Sequence, residues 1–299
     1  MTMPANNNNR FPLDASVMQR LDVLSLMTRR AQATGRPGRR RSPQAGTSME
    51  FADYRRYTPG DDFRRIDWRA YARLERLFLR VFEAEENITV TILIDCSASM
   101  QHGTPAKSDL AIALAAALAY VALRGEDTVI VGALTDRLTA YRRATGKNAI
   151  WSIGEFLTTL PKAGATDLNR ALYDLGRVAP GPGLTLIISD FFVAGGYQTG
   201  VRSVQQLRQE VALLQILSPD EIDPDIQGDW RLRDCESANH VEVSVSSVVL
   251  QAYHERLHRY TQELMAFAHA QRGTYALIPS NTSVTEVVQR LLRQIELVK

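Results

Sequence analysis

Three short segments of this 299-residue chain carry the side chains best suited to chemistry. The segment DCSAS, residues 95–99, follows the apolar run ITVTILI, and Asp190 follows the apolar run LTLIIS. The segment GATD, residues 164–167, precedes a predicted helix. Because ligands of open parallel sheets bind beyond the carboxyl ends of the strands, we expect these three segments to form one site.

The side chains offered there are all oxygen donors. The candidate metal ligands are Asp95, Ser97, Ser99, Thr166 and Asp190. Carboxylate and hydroxyl oxygens without nitrogen or sulfur favour a hard cation, so we predict Mg²⁺, with Mn²⁺ or Ca²⁺ as alternatives. A carboxylate from a partner would complete the metal shell. Since no general base is apparent beside the cluster, the pattern predicts binding and not catalysis.

The elements that must position these residues alternate between strand and helix. Predicted strands cover residues 88–94, 128–134, 184–189, 211–217 and 275–278, with a returning hairpin strand at 138–142. Predicted helices cover residues 106–124, 148–160, 167–178, 201–210, 248–270 and 284–298. Continuous apolar strands between helices predict an α/β fold: a Rossmann-like, mostly parallel sheet with helices on both faces.

The rest of the chain is predicted to surround this α/β domain, residues 87–299. Residues 1–12, with four consecutive asparagines, are expected to be a disordered tail. Residues 13–86 are expected to form an appendage: a helix over 13–34, an Arg-rich loop over 35–46 and an appended β segment. Proline breaks followed by alternating polarity predict a small antiparallel insertion over 218–246.

Composition narrows the class of protein. With only two cysteines, the chain has neither a disulfide framework nor a four-cysteine zinc site. The apolar run at 110–123 is too short to span a bilayer, and no signal-peptide pattern is visible at residue 1. We therefore expect a cytoplasmic protein without a membrane span.

Positive charge is concentrated in the first quarter of the chain. Residues 1–80 contain 16 Arg, no Lys and 8 Asp or Glu, a net +8, whereas the whole chain is +2, so the remainder carries −6. The candidate partner-binding residues are Arg55, Arg56, Arg64, Arg65, Arg69 and Arg73. Docking of a partner and an internal salt-bridge network explain them equally well. Interleaved acidic residues disfavour nucleic acid, whose binding would depend steeply on salt.

A second possible metal motif is HERLH, residues 254–258, which matches the zinc-protease pattern HExxH. On a helix, the two histidines of this motif fall beside an apolar stripe. The stripe consists of Tyr253, Leu257, Tyr260, Leu264 and Phe267. Zinc ligands should face the protein interior, so we interpret His254 and His258 as solvated flank residues.

Two longer stretches resemble a known family. The run from FADYRRYTPGDDFRRIDWRAYARLERLFLRVFEAEE to ITVTILIDCSASM (residues 51–100) and LRDCESA (232–238) are similar to the bacterial domain-of-unknown-function 58 family. The DCSAS segment, Thr166 and Asp190 resemble the metal-ion-dependent adhesion site of von Willebrand factor A-like domains. The resemblance implies a Rossmann-like fold with the metal at the top of the sheet, and a functional association with MoxR-type AAA+ ATPases.

The sequence therefore leads to one hypothesis and one alternative. The hypothesis is a non-enzymatic, Mg²⁺-dependent adaptor that binds a carboxylate-bearing protein and acts with a MoxR-type ATPase in assembly or remodelling. The alternative is a metal-dependent hydrolase that uses either the same oxygen cluster or the HERLH helix.

Overall fold

A computed structural model describes residues 11–27, 41–42, 49–58, 63, 66–85, 88–161, 164, 166–235 and 240–299. In chain order the strands are β1 (Arg41–Ser42), β2 (Met49–Arg56), β3 (Phe78–Glu85), β4 (Thr89–Asp95), β5 (Thr128–Leu134), β6 (Leu138–Ala144), β7 (Gly183–Ser189), β8 (Gln209–Leu217), β9 (Gly228–Arg233), β10 (His240–Val245) and β11 (Thr274–Pro279). The helices are α1 (Ala15–Leu21), α2 (Trp68–Leu74), α3 (Lys107–Arg124), α4 (Ile150–Thr158), α5 (Leu168–Val178), α6 (Gln198–Gln206), α7 (Pro219–Ile222) and α8 (Ser247–Ala270).

The predicted α/β fold is confirmed by a six-stranded sheet in the order β11-β8-β7-β4-β5-β6. Every neighbouring pair is parallel except β5 and β6, which form the predicted hairpin. The chain moves from β4 to β5 on one side and later places β7 on the other side of β4. The crevice between β4 and β7 is therefore the point where the strand order reverses, the usual ligand position in such sheets.

Two apolar cores cover the two faces of the sheet. Alternation along β4 directs Ile92 and Ile94 into one core and Leu93 into the other. The first core is filled by residues of α1, α3, α4 and the C-terminal segment, and the second by residues of α5, α6 and α8. Strands buried on both faces explain why these segments read as continuous apolar runs.

The helix predicted over residues 13–34 is shorter in the structure. α1 ends at Leu21, and the chain then becomes extended, with Leu24 and Leu26 buried in the first core. Leu26 forms an antiparallel bridge with Val298. Hydrogen bonds between Ser25 and Lys299, and from Met27 N to Leu297 O, extend this pairing. Pairing with distant backbone replaces helical bonding here, and residues 28–34 lie outside the described residues.

The helix predicted over residues 284–298 is also modified. It consists of Val284–Glu286, a π-helical turn at Val287–Leu291, and Leu292–Gln294. The chain leaves the helical path after Gln294, with Glu296 at a φ of 58°, so that residues 297–299 can pair with residues 25–27. The same pairing thus shortens both predicted helices.

The chain divides into two compact units, residues 1–28 with 88–299, and residues 29–87. This grouping places α1 with the large sheet, whereas the sequence placed it with the appendage. In the second unit, β1, β3 and β2 form an antiparallel sheet. It also contains α2, which was not predicted and which is capped by the Asp67 carboxylate accepting from Arg69 N and Ala70 N.

The segment predicted as an antiparallel insertion contains α7 and the two-stranded β9–β10 hairpin. Residues 236–239 of this segment lie outside the described residues, as does the predicted tail up to residue 10. In the described part of the chain, no helix has both the length and the apolar character needed to cross a membrane.

Close packing of α5 on α6 depends on Gly200, and α5 begins next to the candidate ligand Thr166. A Cβ at residue 200 would lie 2.8 Å from the Asn169 Cα and 3.1 Å from the Leu168 carbonyl oxygen. We expect Gly200→Ala to lower the free energy of unfolding by about 1–3 kcal/mol, because the two helices must separate. Urea unfolding measures this change.

Gly195→Ala is the matched control, because a Cβ there would meet nothing within 4 Å. We expect the control to stay within about 0.5 kcal/mol of the wild type. Equal stability of Gly200→Ala and the control would contradict the proposed tight contact.

Candidate functional site

Asp95, the last residue of β4, is the centre of the candidate site. Its side chain is 1% exposed. Oδ1 accepts hydrogen bonds from Ser97 N at 2.9 Å and Thr166 Oγ1 at 2.8 Å, and Oδ2 accepts one from Ser189 Oγ at 2.6 Å. Three donors thus fix this buried carboxylate between the ends of β4 and β7 and the loop that contains Thr166.

The two serines of the DCSAS segment lie together after β4. Ser97 Oγ and Ser99 Oγ are hydrogen-bonded at 2.9 Å, with Ser97 buried and Ser99 half-buried. The turn is joined to the second loop by a hydrogen bond from Ala98 N to Gly164 O at 2.9 Å. Gly164 has a φ of 115°, a conformation that favours glycine, so this residue type suits the contact between the loops.

Thr166 is positioned by the start of α5. The next residue, Asp167, caps this helix by accepting a hydrogen bond from Arg170 N at 3.0 Å. Asp167 N also donates to Thr135 O at 3.1 Å, which ties the loop to the end of β5. The half-buried Thr166 hydroxyl is therefore held against Asp95 from two sides.

Asp190 directly follows β7 and is also 1% exposed. Its Oδ1 accepts a hydrogen bond from Phe192 N at 3.0 Å, and its carbonyl oxygen accepts one from Gln215 Nε2 at 2.9 Å. Phe191, at a φ of 61°, turns the chain immediately after the carboxylate. Asp95, Ser97, Ser99 and Asp190 thus follow the neighbouring strands β4 and β7, and Thr166 reaches Asp95 from the loop before α5.

The sequence analysis missed three residues around this cluster: Ser189, Lys107 and Glu221. Lys107 is fully buried, and its Nζ donates to Asp190 Oδ2 at 2.7 Å and to Glu221 Oε1 at 2.6 Å. One signal was available, because Lys107 is the only Lys or Arg between residues 81 and 123. It also stands at the start of α3, where the helix dipole disfavours a cation and a nearby carboxylate is needed.

The surroundings of Asp95 favour its protonated form. Burial, followed by the charge of Asp190, raises the pKa of Asp95 above its ordinary value, while the hydrogen bonds from Ser189, Ser97 and Thr166 act in the opposite direction. Two buried carboxylates that lie close together repel each other, and a bound divalent cation would reduce this repulsion.

The neighbouring Cys96 is a packing residue. It is buried, and its Sγ lies 3.4 Å from the carbonyl oxygen of Ile94. Burial and the nearby Asp95 charge raise the pKa of the thiol to about 12. A neutral thiol is a poor nucleophile.

The HERLH motif lies on an exposed side of α8. His254 Nε2 pairs with Asp223 Oδ1 at 3.2 Å, while Glu255 and His258 are exposed. Across the described residues, no group of three or more His, Cys, Asp or Glu side chains has a metal-binding arrangement. His258 is therefore a solvated residue, whereas His254 is half-buried and paired with Asp223.

The candidate partner-binding arginines belong to the second unit. Arg56, Arg69 and Arg73 are exposed. Arg64 and Arg65, and the side chain of Arg55, lie outside the described residues. Docking therefore stays a prediction for this group.

Removing the Asp95 charge should stabilise the metal-free protein. A carboxyl group with a raised pKa in the folded state destabilises the fold at a pH above that pKa, and the penalty disappears as the pH falls through it. Asp95→Asn keeps an acceptor for Ser97 N and Thr166 Oγ1. In EDTA at pH 7 we expect its free energy of unfolding to equal or exceed that of the wild type.

The difference should shrink as the pH is lowered toward the ordinary carboxyl range, and Mg²⁺ should stabilise only the wild type. Chemical denaturation across pH, with and without Mg²⁺, measures both effects. A variant less stable than the wild type in EDTA at pH 7 would show that the charge of Asp95 does not strain the fold.

Comparison with known proteins identifies the family of this chain. The family described as "Protein of unknown function DUF58" matches residues 53–263. The uncharacterized proteins Rv1480 of Mycobacterium tuberculosis and Mb1516 of Mycobacterium bovis are each 33% identical over 209 residues, which cover 67% of this chain and 65% of the relative. The chain therefore spans slightly less than two thirds of the length of these relatives.

Similar solved structures include BatB from Bacteroides thetaiotaomicron, with 14% identity, a TM-score of 0.44, and coverage of 70% of this chain and 98% of that chain. The VWA domain of SpRpn10 has 9% identity and a TM-score of 0.36, and covers 67% of this chain and 92% of its own. The family match covers more than half of the residues of this chain, and the chain therefore belongs to the DUF58 family.

Proposed function

We propose that this protein is a non-enzymatic binding module that uses a divalent cation, Mg²⁺ in the cell, to hold a carboxylate of a partner protein. The cation would be bound where β4 and β7 end. The observation that carries the proposal is the cluster of carboxylate and hydroxyl oxygens at this edge of the sheet.

The donor set fits a hard cation. Ser97 Oγ lies 2.9 Å from Ser99 Oγ, and Thr166 Oγ1 lies 2.8 Å from Asp95 Oδ1. Adjacent ligands of an octahedral Mg²⁺ are about 2.9 Å apart, given metal–oxygen distances of about 2.0–2.1 Å. Hydroxyl oxygens that hydrogen-bond to each other at this spacing can turn toward a common cation with little movement.

Each residue has a distinct role in the proposal. Ser97, Ser99 and Thr166 supply neutral oxygens, and Asp95 and Asp190 supply negative charge. Ser189 keeps Asp95 in place through its 2.6 Å hydrogen bond. When bound, the cation would supply a positive charge that attracts an anionic oxygen. The half-buried hydroxyls of Ser99 and Thr166 leave the cluster accessible to such an oxygen.

Engagement of both carboxylates supports binding over catalysis. Asp95 accepts three hydrogen bonds, and Asp190 accepts from Phe192 N and from the Lys107 ammonium. A general base needs a lone pair directed at the proton that it abstracts. The donors around Asp95 and Asp190 occupy most of the acceptor positions of Asp95 and about half of those of Asp190, and the Cys96 thiol is buried, which favours a role as fixed negative charge.

The proposed partner is a MoxR-type AAA+ ATPase, or a client that such an ATPase assembles or remodels. Family resemblance suggests this class of partner. The exposed Arg56, Arg69 and Arg73 of the second unit would add a contact to acidic side chains.

Loss of one hydroxyl ligand should weaken cation binding without unfolding the protein. We expect Thr166→Val to lower the Mg²⁺ affinity roughly ten- to a hundredfold, because the variant removes one oxygen and a hydrogen bond to Asp95. Isothermal titration calorimetry measures the affinity.

Ser203→Ala is the matched control, since this half-buried hydroxyl donates only to Gly200 O within α6. The control should bind Mg²⁺ as the wild type does. If all three proteins fail to bind Mg²⁺ or Mn²⁺ at millimolar concentrations, the proposed function is wrong.

Partner binding should depend on the cation. With the purified MoxR-type ATPase of the same organism, we expect the wild type to bind in Mg²⁺ and to lose most of its affinity in EDTA. Asp95→Asn should behave in Mg²⁺ as the wild type does in EDTA. Surface plasmon resonance distinguishes these cases, and equal affinity in all four conditions would contradict a cation-mediated contact.

A further inference from the structure

Lys107 brings a positive charge into the candidate metal centre. Its side chain is fully buried at the start of α3, and its Nζ is shared by Asp190 Oδ2 at 2.7 Å and Glu221 Oε1 at 2.6 Å. The ring of Phe192 lies on another side, with its centroid 6.0 Å from Nζ. The ammonium is thus surrounded by two carboxylates and an aromatic ring.

The position of this lysine is determined by its partners. The first turn of a helix repels cations, and a buried ammonium is strongly disfavoured unless it is paired. Glu221 is itself fixed, because its Oε2 accepts from Ser218 N at 2.8 Å in a capping box of α7. Tyr253 Oη also donates to the carbonyl oxygen of Glu221 at 2.6 Å. Lys107 therefore links the ends of β7 and β8 through rigid contacts.

The charges in this region can be counted directly. Asp190 and Glu221, the two carboxylates paired with Lys107, contribute −2, and Lys107 contributes +1, so this cluster carries −1 in the absence of a metal. A cation held by Asp190 would share that carboxylate with an ammonium 2.7 Å away from it. Repulsion between the bound cation and this ammonium, a few ångströms apart in a partly buried site, would weaken cation binding.

We infer that Lys107 sets the affinity of the site for divalent cations by cancelling the charge of one carboxylate. This inference rests on the proposed function. The lysine keeps Asp190 in place without a metal and lowers the attraction of the site for the metal. A cation bound there keeps more of its positive charge for an incoming carboxylate, so partner and cation bind best together.

Three variants test this role: Lys107→Met, Glu221→Gln and the double variant that combines them. They change the charge of the Asp190, Glu221 and Lys107 cluster from −1 to −2, 0 and −1, respectively. Met matches the length of Lys, and Gln retains the acceptor of the capping box. Isothermal titration calorimetry with MgCl₂ at fixed ionic strength gives the affinities, and thermal unfolding in EDTA checks that each variant is folded.

We expect Lys107→Met to bind Mg²⁺ at least about tenfold more tightly than the wild type, and Glu221→Gln at least about tenfold more weakly. The double variant should return to within about threefold of the wild type, because its cluster charge is restored. A purely structural salt bridge predicts a different pattern. Both single variants would weaken binding, and the double variant would bind no better than the weaker of them.

Opposite shifts and restoration in the double variant would support the inference, and the structural pattern would overturn it. Mg²⁺ affinities of the three variants that all equal the wild-type affinity would overturn it as well. If Lys107→Met does not fold, the other two variants still test the inference: Glu221→Gln should bind Mg²⁺ more weakly, and the double variant should regain the wild-type affinity. If the wild type binds no Mg²⁺, both the proposed function and this inference are wrong. If the wild type binds Mg²⁺ but the variants do not behave as expected, only the inference is wrong.

Discussion

The burial of two carboxylates side by side is the constraint on which this region of the molecule depends. Asp95 and Asp190 end adjacent parallel strands and are each 1% exposed. Their charges are compensated by hydroxyl and backbone donors on one side and by the Lys107 ammonium on the other. The loops after β4 and β7, the start of α3 and the start of α5 are all arranged to supply those donors.

Much of this arrangement was predictable because parallel strands have a simple pattern. A strand buried on both faces is a continuous apolar run, and β4, β5, β7 and β8 were each located to within two residues. Carboxylates that directly follow such runs must meet at the carboxyl edge of the sheet. This rule accounts for Asp95, Ser97, Ser99 and Asp190, whereas Thr166 lies in the loop before α5 and was added from the position of that loop and from the family resemblance.

The remaining features depend on contacts that sequence periodicity does not encode. Glu221 follows Lys107 by 114 residues, and only the folded sheet places their side chains 2.6 Å apart. α1 ends early because the next residues pair with the backbone near Val298, a partner that no local pattern specifies. α2 was missed because its seven residues, WRAYARL, are too few for a clear helical period and have only Ala70 buried.

The backbone pairing of residues 25–27 with residues 297–299 has a consequence for the order in which the protein folds during synthesis. Contacts this far apart in sequence close a very long loop and form late. Leu26 and its neighbours therefore gain this backbone pairing only after residues 297–299 have been synthesised. A chain in which these two segments have not yet met should expose apolar surface of the kind that chaperones bind.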